Sequence, residues 1–269
     1  MTIKTDKEIS KMREAGLVLW GAHQKAKELL QEGITTNEID NAVEKHILSQ
    51  GAVPLFKGVP GRVPYPAATC ISINEEVVHG IPSNRKLAAG DIVSIDIGVK
   101  LNGWCSDAAA TWPVGNISDE KRRLLTETEN ALRFAIKQLG SQSRWSLIVK
   151  KMQKRIESNG FSIIEELVGH GIGRDMWEHP QIPNYFNNRN EDFRIRQGVT
   201  LAIEPMLNMG GKGVKLKNDH WTIVTQDGKP SAHFEHTVAI TSRGPVVLSC
   251  GPNRVRRTLL TIVTNSILS

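Results

Sequence analysis

Acidic side chains stand in the middle of stretches that otherwise read as buried strands, and this restricts the architecture more than any other feature. Asp96 lies inside IVSIDIGV, where Val93, Ile95 and Ile97 alternate with Ser94, Asp96 and Gly98. Asp107 follows in GWCSDAAAT among small residues, Glu204 interrupts TLAIEPM, and Glu235 interrupts HFEHTVAI. His170 sits in GHGIG, whose glycines let another backbone come close. Taken singly, each reads as an edge or turn carboxylate, or as a hydrogen-bonded core histidine. A buried carboxylate without a partner is costly, however. Four carboxylates and one imidazole converging on one cavity would repel unless cations bound there. An oxygen-rich set with a single imidazole suits Mn, Fe(II), Co or Zn, not a thiolate structural zinc site. Five ligands suit two divalent ions sharing bridging carboxylates.

Helix signals separate these stretches. Thr5-x-x-Glu8 and Thr35-x-x-Glu38 are capping boxes, each followed by apolar residues at helical spacing and stopped by Gly33 and Gly51. Two further helices are expected from about Ser118 to Gly140 and from about Trp145 to Gly160. Strands are expected over 92–99, 199–203 and 234–240. The order is two helices then strands, twice over, with no Pro/Gly/Ser-rich linker. It predicts an α+β fold of two related halves sharing one core. With 269 residues, one domain over 1–250 is expected, with 251–269 as a C-terminal tail.

Composition excludes several classes. No apolar run approaches the roughly 18 residues of a membrane span, and Met1-Thr-Ile-Lys-Thr-Asp-Lys-Glu is too charged for a secretory signal. Cys70, Cys105 and Cys250 are scattered and odd in number, which favours a reducing compartment. The cytoplasm is the simple reading. The net charge of +6 is compatible with RNA-rich partners or with none, and nothing points to specific DNA binding.

The segments IDIGVKLNGWCSDAAAT, ELVGHGIG, TLAIEPM and HFEHTVAIT resemble, in order and spacing, the metal-binding motifs of the methionine aminopeptidases, over about residues 5–250. The resemblance implies the pita-bread fold, a pseudo-twofold arrangement of curved antiparallel sheet backed by helices. It implies Asp96, Asp107 and Glu235 as ligands of one ion and Asp107, His170, Glu204 and Glu235 as ligands of the other. The NEEVVHGIP segment matches the family's NExxxHGIP block and implies that His79 contacts the substrate. Glu204 would be the acid/base, and Tyr65, Cys70 and Trp221 would wall the methionine pocket. The implied reaction is removal of the N-terminal methionine from nascent polypeptides with a small second residue. Transient ribosome association and a monomeric state are the accompanying expectations.

The short PNYFNNRNEDFRIRQG segment before IEPM is similar to the first, bacterial-like type of the family. Two departures stand out. KGVPGRVPYPAATC is longer than in compact relatives. After GHGIG, the position of the family's second active-site histidine holds Trp177, with a new histidine at His179. His179 could reach the site in its place, since side chains two apart on an extended segment share a face. Alternatively, it is a solvated loop residue and turnover is weakened. Two other readings fit the motifs. One is a proline-directed aminopeptidase of the same fold, which usually carries an additional N-terminal domain. The other is a non-catalytic ribosome-associated paralogue, which tends to lose ligands that are all present here.

Overall fold

The computed structural model describes residues 1–187 and 192–252. The expected 251–269 tail therefore lies, but for its first two residues, outside the described residues, as does part of the segment before Glu204. The first half runs α1 (Asp6–Leu29), α2 (Thr36–Ser49), β1 (Val53–Pro54), β2 (Cys70–Ile73), β3 (Glu76–Val78), β4 (Ile92–Leu101) and β5 (Trp104–Pro113). The second runs α3 (Asp119–Gln138), α4 (Trp145–Ser158), β6 (Ser162–Ile163), β7 (Val168–Gly171), β8 (Glu178–Pro183) and β9 (Thr200–Ile203). It continues with β10 (Met206–Asn208), β11 (Val214–Leu216), β12 (Ile223–Thr225), β13 (Ser231–His233), β14 (His236–Thr241) and β15 (Gly244–Val247). Two helices then strands, twice, is the order expected from the sequence.

Both capping boxes form. Thr5 and Thr35 accept from the N–H three residues on, and Glu8 and Glu38 reach back to the cap N–H groups at 2.9 and 2.8 Å. Ser118 caps α3. The helix α4 has no side-chain cap of its own. Instead Asp192 accepts from the Ser146 N–H at 2.9 Å, which satisfies a donor the helix leaves open.

Two apolar layers result. Leu19, Ala22 and Ala26 of α1 pack with Ile39, Val43 and Ile47 of α2 against Val93, Ile95 and Ile97 of β4. Leu124 and Leu132 of α3, with Ile148 and Met152 of α4, pack against Leu201, Ile203, Leu207 and Val238. Each fully buried Leu, Ile or Met contributes about 1.5–3 kcal/mol, and Leu19→Ala would cost about 2–5 kcal/mol.

The first-half sheet has the order β1-β4-β2, with β5 on β4; the second-half sheet runs β15-β14-β9-β7-β8. The edge of β5 meets the start of β14. The Glu235 N–H donates to Ala109 O at 2.8 Å. The Thr237 hydroxyl accepts from the Asp107 N–H at 2.9 Å and donates to Asp107 O at 2.8 Å. Thr111 and His233 form a second such pair, hydroxyl to carbonyl at 2.8 Å and N–H to hydroxyl at 2.9 Å.

The strand expected over 199–203 is found as β9, whereas the one expected over 234–240 begins two residues late, as β14. Glu204 and Glu235 fall in two-residue breaks, one between β9 and β10 and one between β13 and β14. Pro205 cannot donate to a ladder, and the Glu235 N–H is drawn to β5 instead of its own sheet. At a break the side chain is free of strand alternation and turns into the space between the sheets. Among the described residues, no helix is long and apolar enough to cross a membrane.

Candidate metal centre

Every expected ligand lines one cavity of ≈ 500 Å³. The hairpin β4–β5 supplies two. Its register pairs Asp96 with Ala109 and Gly98 with Asp107, so the carboxylates leave the same face two register positions apart. Strand β7 supplies His170, packed between β8 and β9. The glycines beside it are required by close approach: a Cβ at Gly169 would lie 2.3 Å from Ala202 O, and one at Gly171 2.5 Å from His179 O. The two breaks supply Glu204 and Glu235.

The geometry fits a cation. Nδ1 of His170 lies 2.9 Å from Gly171 O, which fixes the ring and leaves Nε2 to the cavity. Nε2 is 3.8 Å from Asp107 Oδ2 and 3.9 Å from Glu204 Oε1. Asp107, His170 and Glu235 each offer one ligand atom, all within 4.8 Å of one another. Asp96 and Glu204 adjoin this triplet without being part of it. Among the described residues, Asp96 Oδ1, Asp107 Oδ1 and Glu235 Oε1 are buried with no hydrogen-bond partner. Atoms in that condition call for an ion.

Electrostatics point the same way. Burial pushes Asp96 up to about 7. Burial, followed by the Asp96 charge, raises Asp107 and Glu204 well above the usual carboxylate range, and burial, followed by the Asp107 charge, raises Glu235 likewise. Burial thus disfavours their charged forms, and a bound cation would offset that cost. Burial lowers His170 and keeps the imidazole neutral, as a ligand must be.

The cavity also has an apolar wall. Phe56, Tyr65, Cys70 and Met176 are buried there beside Trp221. The Tyr65 hydroxyl lies 3.0 Å from Thr69 O and from Gly80 O, and its ring meets Trp221 edge-on at 5.2 Å. Asp219 shapes the turn that presents Trp221, accepting from the Trp221 and Thr222 N–H groups at 3.0 and 2.8 Å. The long 57–70 segment completes this wall: the Trp221 indole donates to Val63 O at 2.8 Å, and Gly61 lies under the ring, where a Cβ would stand 2.5 Å from Cζ2. Burial, then the Asp96 charge, raises the Cys70 thiol well above its ordinary value, so it is no nucleophile.

His79 also lines the cavity, with φ +57° and its ring 6.4 Å from Trp221. Trp177 stands at the rim, 57% exposed, with its indole edge-on to His170 at 6.5 Å. It precedes β8, and exposed His179 follows one residue into the strand; both line the cavity.

Sequence reasoning missed His233. It is 1% exposed, lines the cavity, and places Nε2 3.7 Å from Glu204 Oε2. Neither ring nitrogen has a hydrogen-bond partner among the described residues. Burial lowers its pKa to about 3, so the ring is neutral. The available signal was its place two residues before Glu235 in HFEHT, where only the glutamate drew notice.

A family model described as metallopeptidase family M24 matches residues 10–242. The chain belongs to that family. Within it, methionine aminopeptidase 1 of Bacillus subtilis is 47% identical over 246 residues, covering 91% of this chain and 98% of the relative. A methionine aminopeptidase of Clostridium perfringens is 46% identical, covering 92% and 98%. The crystal structure of methionine aminopeptidase from Thermotoga maritima superposes with a TM-score of 0.88 at 40% identity, covering 93% of this chain and 99% of that one. The prolidase from Pyrococcus furiosus shares the fold alone, with a TM-score of 0.71 at 23% identity over 65% of its own chain. The fold is the pita-bread fold, as the motifs implied, and the chain is a member of the methionine aminopeptidases.

Proposed function

We propose that this chain is a dinuclear metallo-aminopeptidase that removes the N-terminal methionine from polypeptides whose second residue is small. The observation that carries this reading is the juxtaposition, in one cavity, of the Asp107–His170–Glu235 triplet and the apolar wall of Phe56, Tyr65, Cys70, Met176 and Trp221. The strong likeness to methionine aminopeptidases over nearly the whole chain supports it.

Asp96, Asp107 and Glu235 would hold one divalent ion, and Asp107, His170, Glu204 and Glu235 the other, with Asp107 and Glu235 shared. When bound, such cations neutralise the carboxylates and make water a competent nucleophile near neutral pH. The rest is the work of the protein's own groups. Glu204, which lines the cavity beside these groups, takes the proton of the attacking water and passes it to the leaving amine. His79 donates to the substrate backbone as charge develops on it. The apolar wall receives the methionine side chain, where sulfur, aromatic and thiol surfaces suit a thioether. The free α-amine would also bind one of the cations, an interaction that an acylated N-terminus does not offer.

A cytoplasmic location, one domain over residues 1–250, a monomeric state and transient ribosome contact complete the proposal. The test is turnover of Met-Ala-Ser, Met-Lys-Ser and acetyl-Met-Ala-Ser with Mn, Fe(II), Co and Zn compared. Cleavage of the first alone is expected. Equal cleavage of the acetylated peptide overturns the reading.

A further inference from the structure

The five residues ahead of α1 reach strands far along the chain. The Lys4 N–H donates to Gly198 O at 2.7 Å, in the turn that leads into β9. The Lys4 ammonium reaches Glu178, the first residue of β8, with Nζ 2.5 Å from Oε2. These two strands flank β7, which carries His170. One residue therefore ties the starts of β8 and β9 together across the strand between them.

The tie is a built feature. The Lys4 side chain is 3% exposed and that of Glu178 12%, unlike a solvated surface pair worth about 0–1 kcal/mol. The second Glu178 oxygen accepts the Arg174 N–H at 2.8 Å. Two glycines are moulded around the lysine: a Cβ at Gly173 would lie 2.5 Å from Lys4 Cε, and one at Gly198 2.7 Å from Lys4 O. The same loop is pinned from below, where the Arg174 guanidinium lies 4.1 Å from the centre of the Trp104 ring and the Cys105 N–H donates to Gly173 O at 2.8 Å.

Glu178 itself lines the cavity, its chain neighbours Trp177 and His179 line it too, and Met176 is buried in the apolar wall. We propose that Lys4 is a positioning residue: through its ion pair with Glu178 it fixes the 176–179 wall and so sets how tightly the cavity grips a peptide substrate. The substrate half of this proposal rests on the function proposed above; the mechanical half does not.

The experiment uses the metal-loaded full chain and two variants. Lys4→Met keeps most of the stem and removes the charge, and Glu178→Gln neutralises the other end at constant size. Hydrogen exchange of residues 173–183 is measured well below each variant's melting temperature, together with kcat and KM on Met-Ala-Ser. Removing one partner of a buried pair leaves an uncompensated charge, so both variants are expected to speed exchange in 173–183. KM is expected to rise about tenfold, with kcat within roughly threefold and metal content unchanged. The double variant is expected to cost no more than the worse single one. If Lys4→Met does not fold, Glu178→Gln carries the same reading. Unchanged exchange in 173–183 overturns the tie, and faster exchange with kinetic constants as in the unaltered chain overturns its role in substrate grip. Failure of the unaltered chain to cleave the peptide would instead strike at the proposed function, leaving the exchange result to judge the tie.

Discussion

Replacing Thr237 by Val removes one hydroxyl and tests how the two sheets are held together at the site. That hydroxyl accepts the Asp107 N–H at 2.9 Å and donates to Asp107 O at 2.8 Å, and Thr237 is fully buried. Valine fills the same volume, so no cavity term arises. A buried N–H left without an acceptor costs about 1–3 kcal/mol, and the lost bond to the carbonyl adds about 0.5–1.5 kcal/mol. The expected loss is about 2–4 kcal/mol. At about 2–4 °C per kcal/mol for a chain of this size, Tm should fall by about 5–15 °C. Urea denaturation with excess chelator isolates this from metal linkage. Because Thr237 also orients the strand that presents Asp107, metal affinity should weaken by about 10–100-fold. Thr237→Ser, which keeps the oxygen, should retain most of both properties. A loss below about 0.5 kcal/mol in Thr237→Val, or an equal loss in Thr237→Ser, would refute the reasoning.

Asp107→Asn should lose bound metal and nearly all turnover; elemental analysis showing full metal with normal rates would contradict its place among the ligands. His79→Ala should lower kcat by about 10²–10³ while metal content stays as it was, and an unchanged kcat would reduce His79 to a turn residue. Trp177→His should raise turnover, and His179→Ala should leave it alone if His179 is a solvated residue; a strong loss in His179→Ala would show that it serves in place of the family's histidine. His23 is buried with Nε2 2.8 Å from Ala108 O, and burial lowers its pKa from 6.5 to about 4. The unfolded chain therefore takes up a proton that the native state refuses as pH falls from 6.5 toward 4. His23 should thus remove about 3 kcal/mol of stability across that window. In chelator, His23→Gln should flatten the pH dependence of the urea midpoint relative to the unaltered chain, and parallel curves would exclude the effect.

The helices were legible because their signals are local. Thr5 and Glu8, or Thr35 and Glu38, carry the cap in four consecutive residues, and the glycines beyond mark the stop. The cavity's carboxylates were legible because a carboxylate in an apolar run contradicts its surroundings. Other features depend on residues brought together from far apart. The cap on α4 comes from Asp192, and nothing near Arg144 announces it. Thr237 and Thr111 look like ordinary strand residues, yet their hydroxyls bind the backbone of the opposite sheet. The breaks at Glu204 and Glu235 are cut into continuous apolar patterns by the competition of β5 and by a proline, which a periodicity of two does not register. Lys4 reads as a charge before a cap box, and only the fold gives it Glu178.

The depth of the centre sets a condition on timing. Asp107, Glu235 and His233 are each no more than 3% exposed, so a substrate's amino end must descend as a single extended strand, shedding any structure of its own for several residues. A protein whose first residues are already docked into its own fold presents nothing the cavity can admit. Processing by this chain is consequently a race against the folding of its clients. The outcome is decided by how soon each client's leading residues become committed to local structure, so two proteins with the same opening dipeptide can leave the race differently trimmed.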